Sequence, residues 1–467
     1  MMNGPTARRF TPLGARPGTR PRAVLAAVSI LVVGVALLAA CSSDDTSVDT
    51  ANGPTSTTSA PADGATSSSA ESSTEPTEKS AASSTTAANQ TTVASGGFTN
   101  GEWERLPASP LSWRQVSVVA WTGKEILMVG GNDFRCPPTA SCVTPEPLVG
   151  FTDGAAFNPS TRSWRSIAES PEPIWSGIPA VVGGKLFIMT FDTDDESLLL
   201  AYDIAGDSWT VVDLPEPKVG DMLAATDDAL VVYPQSAESG RRADWLYYPE
   251  GSRWQRLPDD PSGNLFDRQV VWDGSDLYRF GKLITPSPGG ASGPAALLTA
   301  RLAGDRWEEL AEGPVLGGWD SIVAGSQIIF PILGCSDGGD VNGYGECIPY
   351  GGVFDTDRQE WVPLPDANDT DDSEELAPIY AGATTGTELL LSASDTWYLD
   401  TASGEWRPVP PIDGERFGGP VPADESPWWA ATGVGPYGFA FGGIRWGSGY
   451  GANGKVVDEY WLWKPSA

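Results

Sequence analysis

The side chains of this sequence that could do chemistry are carboxylates, arginines and tryptophans, because it holds no histidine. That absence removes the usual general base, the commonest metal ligand and any Ser-His-Asp triad. A carboxylate and an arginine acting on a sugar remain open, with Asp221, Arg268 and Asp320 as candidates. The 19 tryptophans offer flat faces for stacking a sugar or anchoring a protein hot spot. Trp175, Trp319, Trp428, Trp429 and Trp446, with Tyr380 and Arg114, complete the ligand-binding candidates. Packing would explain each of them taken singly, so the set counts for more than any member.

Four of the five cysteines fall in two close pairs, Cys136 with Cys142 and Cys335 with Cys347. In an extracellular chain this reads as two loop disulfides, each stabilising by roughly 2–3 kcal/mol. Zinc is the rival, but the spacing is wrong and no histidine helps. Residues 335–347 and the run Asp366-Ala367-Asn368-Asp369-Thr370-Asp371-Asp372 offer hard oxygen ligands. Neither has the glycine and terminal glutamate spacing of a calcium loop, so both are read as solvated turns, and no metal or other cofactor is expected.

The candidates need a scaffold, and one phrase supplies it. In Leu200-Ala201-Tyr202-Asp203-Ile204-Ala205-Gly206-Asp207-Ser208-Trp209 an apolar strand reaches Asp203, a polar turn follows, and a second strand opens on Trp209. The phrase recurs before Trp164 and Trp254, and more weakly before Trp307, Trp361 and Trp406. Regular recurrence of this kind marks a repeat architecture. A hairpin precedes each copy, as in Gln115–Ala120, a turn at 121–124, then Glu125–Val129. Seven such hairpins can be aligned, so each repeat is read as four strands, a to d.

The ends of this pattern are complementary. The chain finishes with a strand c at Val457–Trp463, and the domain starts with a strand d at Gly101–Pro107. The start should therefore complete the last sheet, which would leave no open sheet edge at the join. Aligned hairpins place Ser117, Gly177, Asp221, Arg268, Trp319, Tyr380 and Trp429 at one register, where strand a begins. The a–b and c–d turns are short, whereas the b–c and d–a connections are long. Binding residues concentrate on loops held by a rigid scaffold, so the long-loop face is the candidate face. Arg114, Trp175, Asp320 and Trp428 neighbour that register, and Tyr344, Arg445, Trp446 and Tyr450 stand in the loops above it.

The pattern over 98–467 resembles the kelch-repeat β-propellers and the central domain of galactose oxidase-like proteins. Its carriers are Gly130-Gly131 and Gly442-Gly443 at the ends of strands b, Tyr202-Asp203, and the strand d tryptophans. The resemblance implies an all-β propeller of four-stranded antiparallel blades, seven by preference with six or eight as alternatives. It implies protein or carbohydrate recognition around the channel, and a packing role between blades for the tryptophans. Relatives include sugar oxidases and a sialic acid mutarotase. The oxidases' copper site needs histidines, which excludes that chemistry here, and the sialidase Asp-box spacing is missing as well. A metal-free mutarotase or epimerase-like activity and an envelope scaffold are the alternatives to a binding module.

The N-terminus speaks to the compartment. Residues 1–40 hold five arginines and no acid, and the apolar run 23–40 ends Leu38-Ala39-Ala40-Cys41. This reads as an export signal whose end resembles a bacterial lipobox, implying cleavage before Cys41 and a lipid on Cys41, with an uncleaved membrane anchor as the alternative, since 18 residues could just span a bilayer. Residues 41–97 are rich in Ser, Thr, Ala and Pro, too poor in apolar surface to offset the entropy of ordering, and are read as a disordered tether. The domain is then expected as a monomer on the outer face of the cell membrane, facing a protein or glycan of the envelope. A formal charge of −32 argues against nucleic acid, because phosphates would meet no excess of cations.

Overall fold

A computed structural model describes residues 101–464, apart from 136–148, 192–195, 217–220, 237–242, 264, 283–296, 316–320, 331–334, 337–347, 350, 365–378, 382–389, 393–396, 401–404, 409, 413–426 and 446–453. Over 427–431, and in the short strands Cys335–Ser336, Ile348–Pro349, Ile379–Ala381, Leu390–Ser392, Trp397–Asp400 and Glu405–Pro408, only the backbone path is described. The signal, the linker, Cys41, Cys136, Cys142, Cys347 and most of both acidic stretches lie outside the described residues, so their expected roles stand as expectations.

The described residues are all-β, built from four-stranded antiparallel sheets that form the blades of a propeller. Blade 1 runs Val118–Trp121, Ile126–Val129, Gly154–Asn158, Ser163–Ile167, and blade 2 runs Ile178–Val182, Lys185–Phe191, Ser197–Asp203, Ser208–Val212. Blade 3 is Met222–Ala225, Leu230–Tyr233, Trp245–Tyr248, Arg253–Arg256, and blade 4 is Phe266–Trp272, Leu277–Lys282, Leu297–Ala303, Arg306–Glu309. Blade 5 is Ile322–Ala324, Gln327–Phe330, Gly352–Asp355, Glu360–Val362. Two hairpins, Ile379–Ala381 with Leu390–Ser392 and Trp397–Asp400 with Glu405–Pro408, then take the place of a sixth blade in the chain. The last blade is Pro427–Val434, Tyr437–Arg445 and Lys455–Trp463, and its fourth strand is Trp103–Arg105 from the start of the domain. Trp103 sits opposite Trp463 and Arg105 opposite Trp461.

Strands b and c read as nearly continuous apolar runs because both of their faces are covered. In blade 1, Ile126 and Met128 join a core with Phe439, Phe441 and Leu462 of the last blade, while Leu127 and Val129 meet Leu186, Ile188 and Leu200 of blade 2. Blades 2 and 3 share Phe187, Met189, Leu223 and Val232, and blades 4 and 5 share Phe280, Ile328, Phe330 and Phe354. The period of two along each strand therefore deals its side chains alternately to two neighbouring blades.

The repeated phrase has a definite geometry. In blades 1, 2, 3 and 5 the c–d loop has four residues, and the residue two before the tryptophan adopts a left-handed conformation: Arg162, Asp207, Ser252 and Gln359, at φ 45–56°. In blades 1, 2 and 5 the acid or amide ending strand c caps this loop. Asp203 Oδ1 accepts from the Ala205 and Gly206 N–H groups at 3.0 and 2.7 Å, and Asn158 Oδ1 does the same for Ser160 and Thr161. Blade 4 departs from it, with a two-residue loop whose first position is Gly304 at φ 66°.

The tryptophan that follows latches neighbouring blades. Trp209 Nε1–H donates to the carbonyl of Ala168, just past strand d of blade 1, at 2.8 Å. The same bond runs from Trp164 to Pro107, Trp254 to Asp213, Trp307 to Pro258 and Trp103 to Pro410, at 2.8–3.1 Å. Trp361 of blade 5 packs instead among Phe280, Phe330 and Phe354, over Gly313, and its buried N–H has no partner among the described residues. The expected inter-blade role of these side chains thus holds, with a hydrogen bond added to the packing.

Beside the Trp209 latch, the Asp207 carboxylate accepts the Ala168 N–H at 2.8 Å and the Tyr202 hydroxyl at 2.7 Å. Those bonds, the backbone one foremost, hold its pKa below the usual carboxylate range. Burial pushes Tyr202 up to about 12, and its bond to Asp207 adds to this. A depressed carboxylate contributes stability above its unfolded pKa and loses it as pH falls through the folded value. Asp207→Asn should therefore lower the melting temperature at pH 6, with the gap to wild type closing below about pH 4. A gap of constant size in a melting series over this range would rule the contribution out.

Candidate functional site

The long-loop face carries two arginine clamps of the same design. Arg114 lies in the connection that leads into strand a of blade 1, and its side chain is fully buried. Its Nη atoms grip both oxygens of Asp153 at 2.7 and 2.9 Å, and Nη1 also donates to the Gly130 carbonyl at 3.1 Å. Nε and Nη2 donate to the backbone and hydroxyl oxygens of Ser112 at 2.9 and 3.1 Å. All five guanidinium hydrogens are thereby committed. The ring of Phe151 lies 4.5 Å beneath the guanidinium carbon.

Arg268, in strand a of blade 4, repeats the grip on blade 3. It holds Asp244 through two bonds of 2.9 and 2.7 Å and donates to the Pro234 carbonyl at 3.0 Å. In both clamps the carboxylate immediately precedes strand c and the carbonyl immediately follows strand b. The guanidinium thus ties together the two ends of a b–c loop, in the bidentate geometry that suits a carboxylate.

Around Arg268 the charges multiply. Arg279 Nη2 bonds Asp260 Oδ1 at 2.7 Å and Ser262 Oγ at 3.0 Å, and Asp260 Oδ2 lies 3.9 Å from Arg268 Nη2. All four side chains are at most 10 % exposed. Burial pushes Asp260 up, only partly offset by Arg279. Burial likewise lowers Arg279, whereas for Arg268 the same cost is outweighed by the Asp244 carboxylate together with Asp260 and Tyr233. A carboxylate and an arginine do converge here with shifted pKa values. They lie walled in between blades 3 and 4, however, where they serve each other rather than a substrate.

Among the described residues of this face, several exposed ones gather over blade 1. Trp175, from the blade 1 to blade 2 connection, is half-buried with its ring 6.3 Å from that of Phe134. The Arg135 guanidinium stacks 5.1 Å over Trp113 and donates to the Gly454 carbonyl of the last blade at 3.5 Å. Asp133 and Arg135 are exposed, and Val149 is 63 % exposed. These residues make a half-open aromatic shelf with a charge of each sign at its edge.

The sequence-derived candidates therefore divide. Asp221 and Arg268 come together around Gln235, whose N–H goes to Asp221 Oδ1 at 2.7 Å and whose carbonyl accepts the Arg268 N–H at 2.8 Å. Arg114 is sealed in its clamp, and Trp175 is on the shelf. Tyr380, Trp428 and Trp429 lie in strands whose side chains are not described, while Trp319, Asp320 and Trp446 lie outside the described residues. Sequence reasoning missed Asp153, Asp244, Asp260, Arg279, Phe134 and Arg135. The common signal was an aspartate directly before strand c, at Asp153 and Asp244.

No family model matches this chain, and no curated protein matches it. Among solved structures it is similar to that of YjhT, with 14% identity and a TM-score of 0.35, over 76% of this chain and 96% of the other. A likeness that weak leaves function to be read from this chain's own side chains. A propeller-like fold suits either a binding or an enzymatic module.

Proposed function

We infer that this chain is a non-catalytic, kelch-type binding module that recognises a glycan or protein of the cell envelope through its long-loop face. The shelf of Trp175, Phe134 and Arg135 carries this reading. An aromatic ring held half-open on a rigid scaffold, beside exposed charges of both signs, suits the apolar face and hydroxyl rim of a sugar. The arginines that a sugar-acting enzyme would use are buried and spent on carboxylates, Asp244 buried and Asp153 half-exposed, which speaks against turnover at Arg114 or Arg268. In this reading the lipid on Cys41 and the linker hold the module, as a monomer without cofactor, at the outer face of the membrane.

The test is a thermal-shift screen of the full chain against envelope glycans, with Trp175→Ala alongside. A glycan should raise the melting temperature of wild type, and Trp175→Ala should lose at least tenfold in affinity for it while its own melting point moves little. Equal binding by the variant would remove the shelf from the site. A glycan converted to product would replace the binding reading with the enzymatic one.

A further inference from the structure

The outer edge of blade 2 differs from that of the other blades. Seven strands occupy the d position, and six of them carry charge: Trp103–Arg105, Ser163–Ile167, Arg253–Arg256, Arg306–Glu309, Glu360–Val362 and Glu405–Pro408. Such charges are how proteins blunt an edge strand whose N–H and C=O groups face outward unpaired. Ser208–Val212 reads Ser-Trp-Thr-Val-Val and has none. It is the last strand of its sheet, paired on one side with Ser197–Asp203. Thr210 is exposed, and Val211 at 49 % is one of three large apolar residues exposed among the described ones. The strand is rich in β-branched residues, so its conformation is well suited to accept another strand.

Its flanks say what that strand would be. Asp207 and Asp213 bracket the edge, and Glu216 follows, in a chain of formal charge −32. A second copy pairing antiparallel about Thr210 would set Asp207 of each copy opposite Asp213 of the other, and like charges directly opposite destabilise a sheet. An extended peptide with β-branched residues at its centre and a Lys or Arg at each end meets the same edge without that penalty.

We propose that the edge Ser208–Val212 is a docking site for an extended, cationic peptide segment of a protein partner, which adds to blade 2 as a fifth strand. Main-chain hydrogen bonds supply the affinity, Val211 packs against the partner's apolar side chains, and the two aspartates fix register. This surface is separate from the aromatic shelf and stands whether or not the shelf binds a glycan.

The probe is the dye-labelled heptapeptide Lys-Thr-Val-Thr-Val-Thr-Arg, long enough to reach from Asp207 to Asp213, with Glu-Thr-Val-Thr-Val-Thr-Glu as control. Binding to the full chain in mild detergent is read by fluorescence anisotropy. The cationic peptide should bind at least tenfold tighter than the acidic one, and more weakly as salt rises. Val211→Lys, a change at an exposed position, should cost the cationic peptide tenfold or more. Asp213→Lys should shift the preference toward the acidic peptide by a similar factor. The proposal is overturned if the cationic peptide does not bind at millimolar concentration, if both peptides bind alike, or if Val211→Lys leaves binding unchanged. Sedimentation showing a wild-type dimer that Val211→Lys dissolves would overturn it in favour of a second copy.

Discussion

Arg268→Met should destabilise the propeller by about 3–5 kcal/mol, the usual cost of leaving a buried charge without its partner. Asp244 is 6 % exposed and receives two hydrogen bonds from this guanidinium, so its carboxylate cannot turn to water. The Pro234 carbonyl loses its donor in the same step, which loosens the start of the blade 3 b–c loop. Adding Asp244→Leu should recover more than half of the loss, because a paired removal leaves no orphan charge. Urea titration of both variants checks this. A loss under about 1 kcal/mol for Arg268→Met would mean that the carboxylate finds solvent after all. Neighbouring Asp260 and Arg279 keep their own 2.7 Å bond in both variants, but Asp260 loses the Arg268 charge 3.9 Å away in both, which accounts for part of the loss that Asp244→Leu does not recover.

Gly130→Ala is the second large effect, at about 3 kcal/mol, against about 1 kcal/mol for Gly184→Ala. Both glycines adopt positive φ, 63° and 73°, so each substitution carries the left-handed penalty. They differ in surroundings. A Cβ on Gly130 would lie 2.5 Å from the Ile174 carbonyl oxygen, whereas on Gly184 it would meet nothing within 4 Å. The excess is therefore the cost of pushing back the d–a connection that carries Ile174 and, next to it, Trp175. Gly130→Ala should accordingly weaken any ligand of the shelf as well, while Gly184→Ala leaves it unchanged. Matched urea titrations with equal losses would show that the connection yields freely.

Much of this was legible in the sequence. The turn phrase ending at Trp164, Trp209 and Trp254 located the c–d hairpins because its parts are local: a four-residue loop, a left-handed residue two before the tryptophan, and an aromatic anchor. The unmatched strands at the two ends foretold that Trp103–Arg105 would pair with Lys455–Trp463, since a four-strand repeat leaves that one answer. The short Gly183-Gly184 turn and the long b–c segments likewise identified which face would carry the loops.

The candidate site was less legible. Arg114 and Arg268 were read as ligand-binding candidates, Arg268 at the register where strand a begins and Arg114 beside it, yet their carboxylate partners lie 39 and 24 residues away. Asp153 and Asp244 share a place directly before strand c, but nothing local says that an arginine from another connection will consume them. The latch bonds were equally hidden, since each joins a tryptophan to a carbonyl of another blade, and backbone acceptors carry no sequence signature.

By itself, then, the sequence determined what short-range rules govern: strand after strand, the turn types, the four-strand repeat and the all-β class. Each rests on periodicity or on bonds within a few residues, which the chain carries wherever it folds. The tertiary structure alone decided which polar groups are free. Arg268 is a possible catalyst on paper and a buried clamp in the fold, while Val211, an ordinary strand residue on paper, lies exposed on an uncharged edge. Availability of a side chain depends on burial and on partners from other blades, and both exist only once the blades have packed.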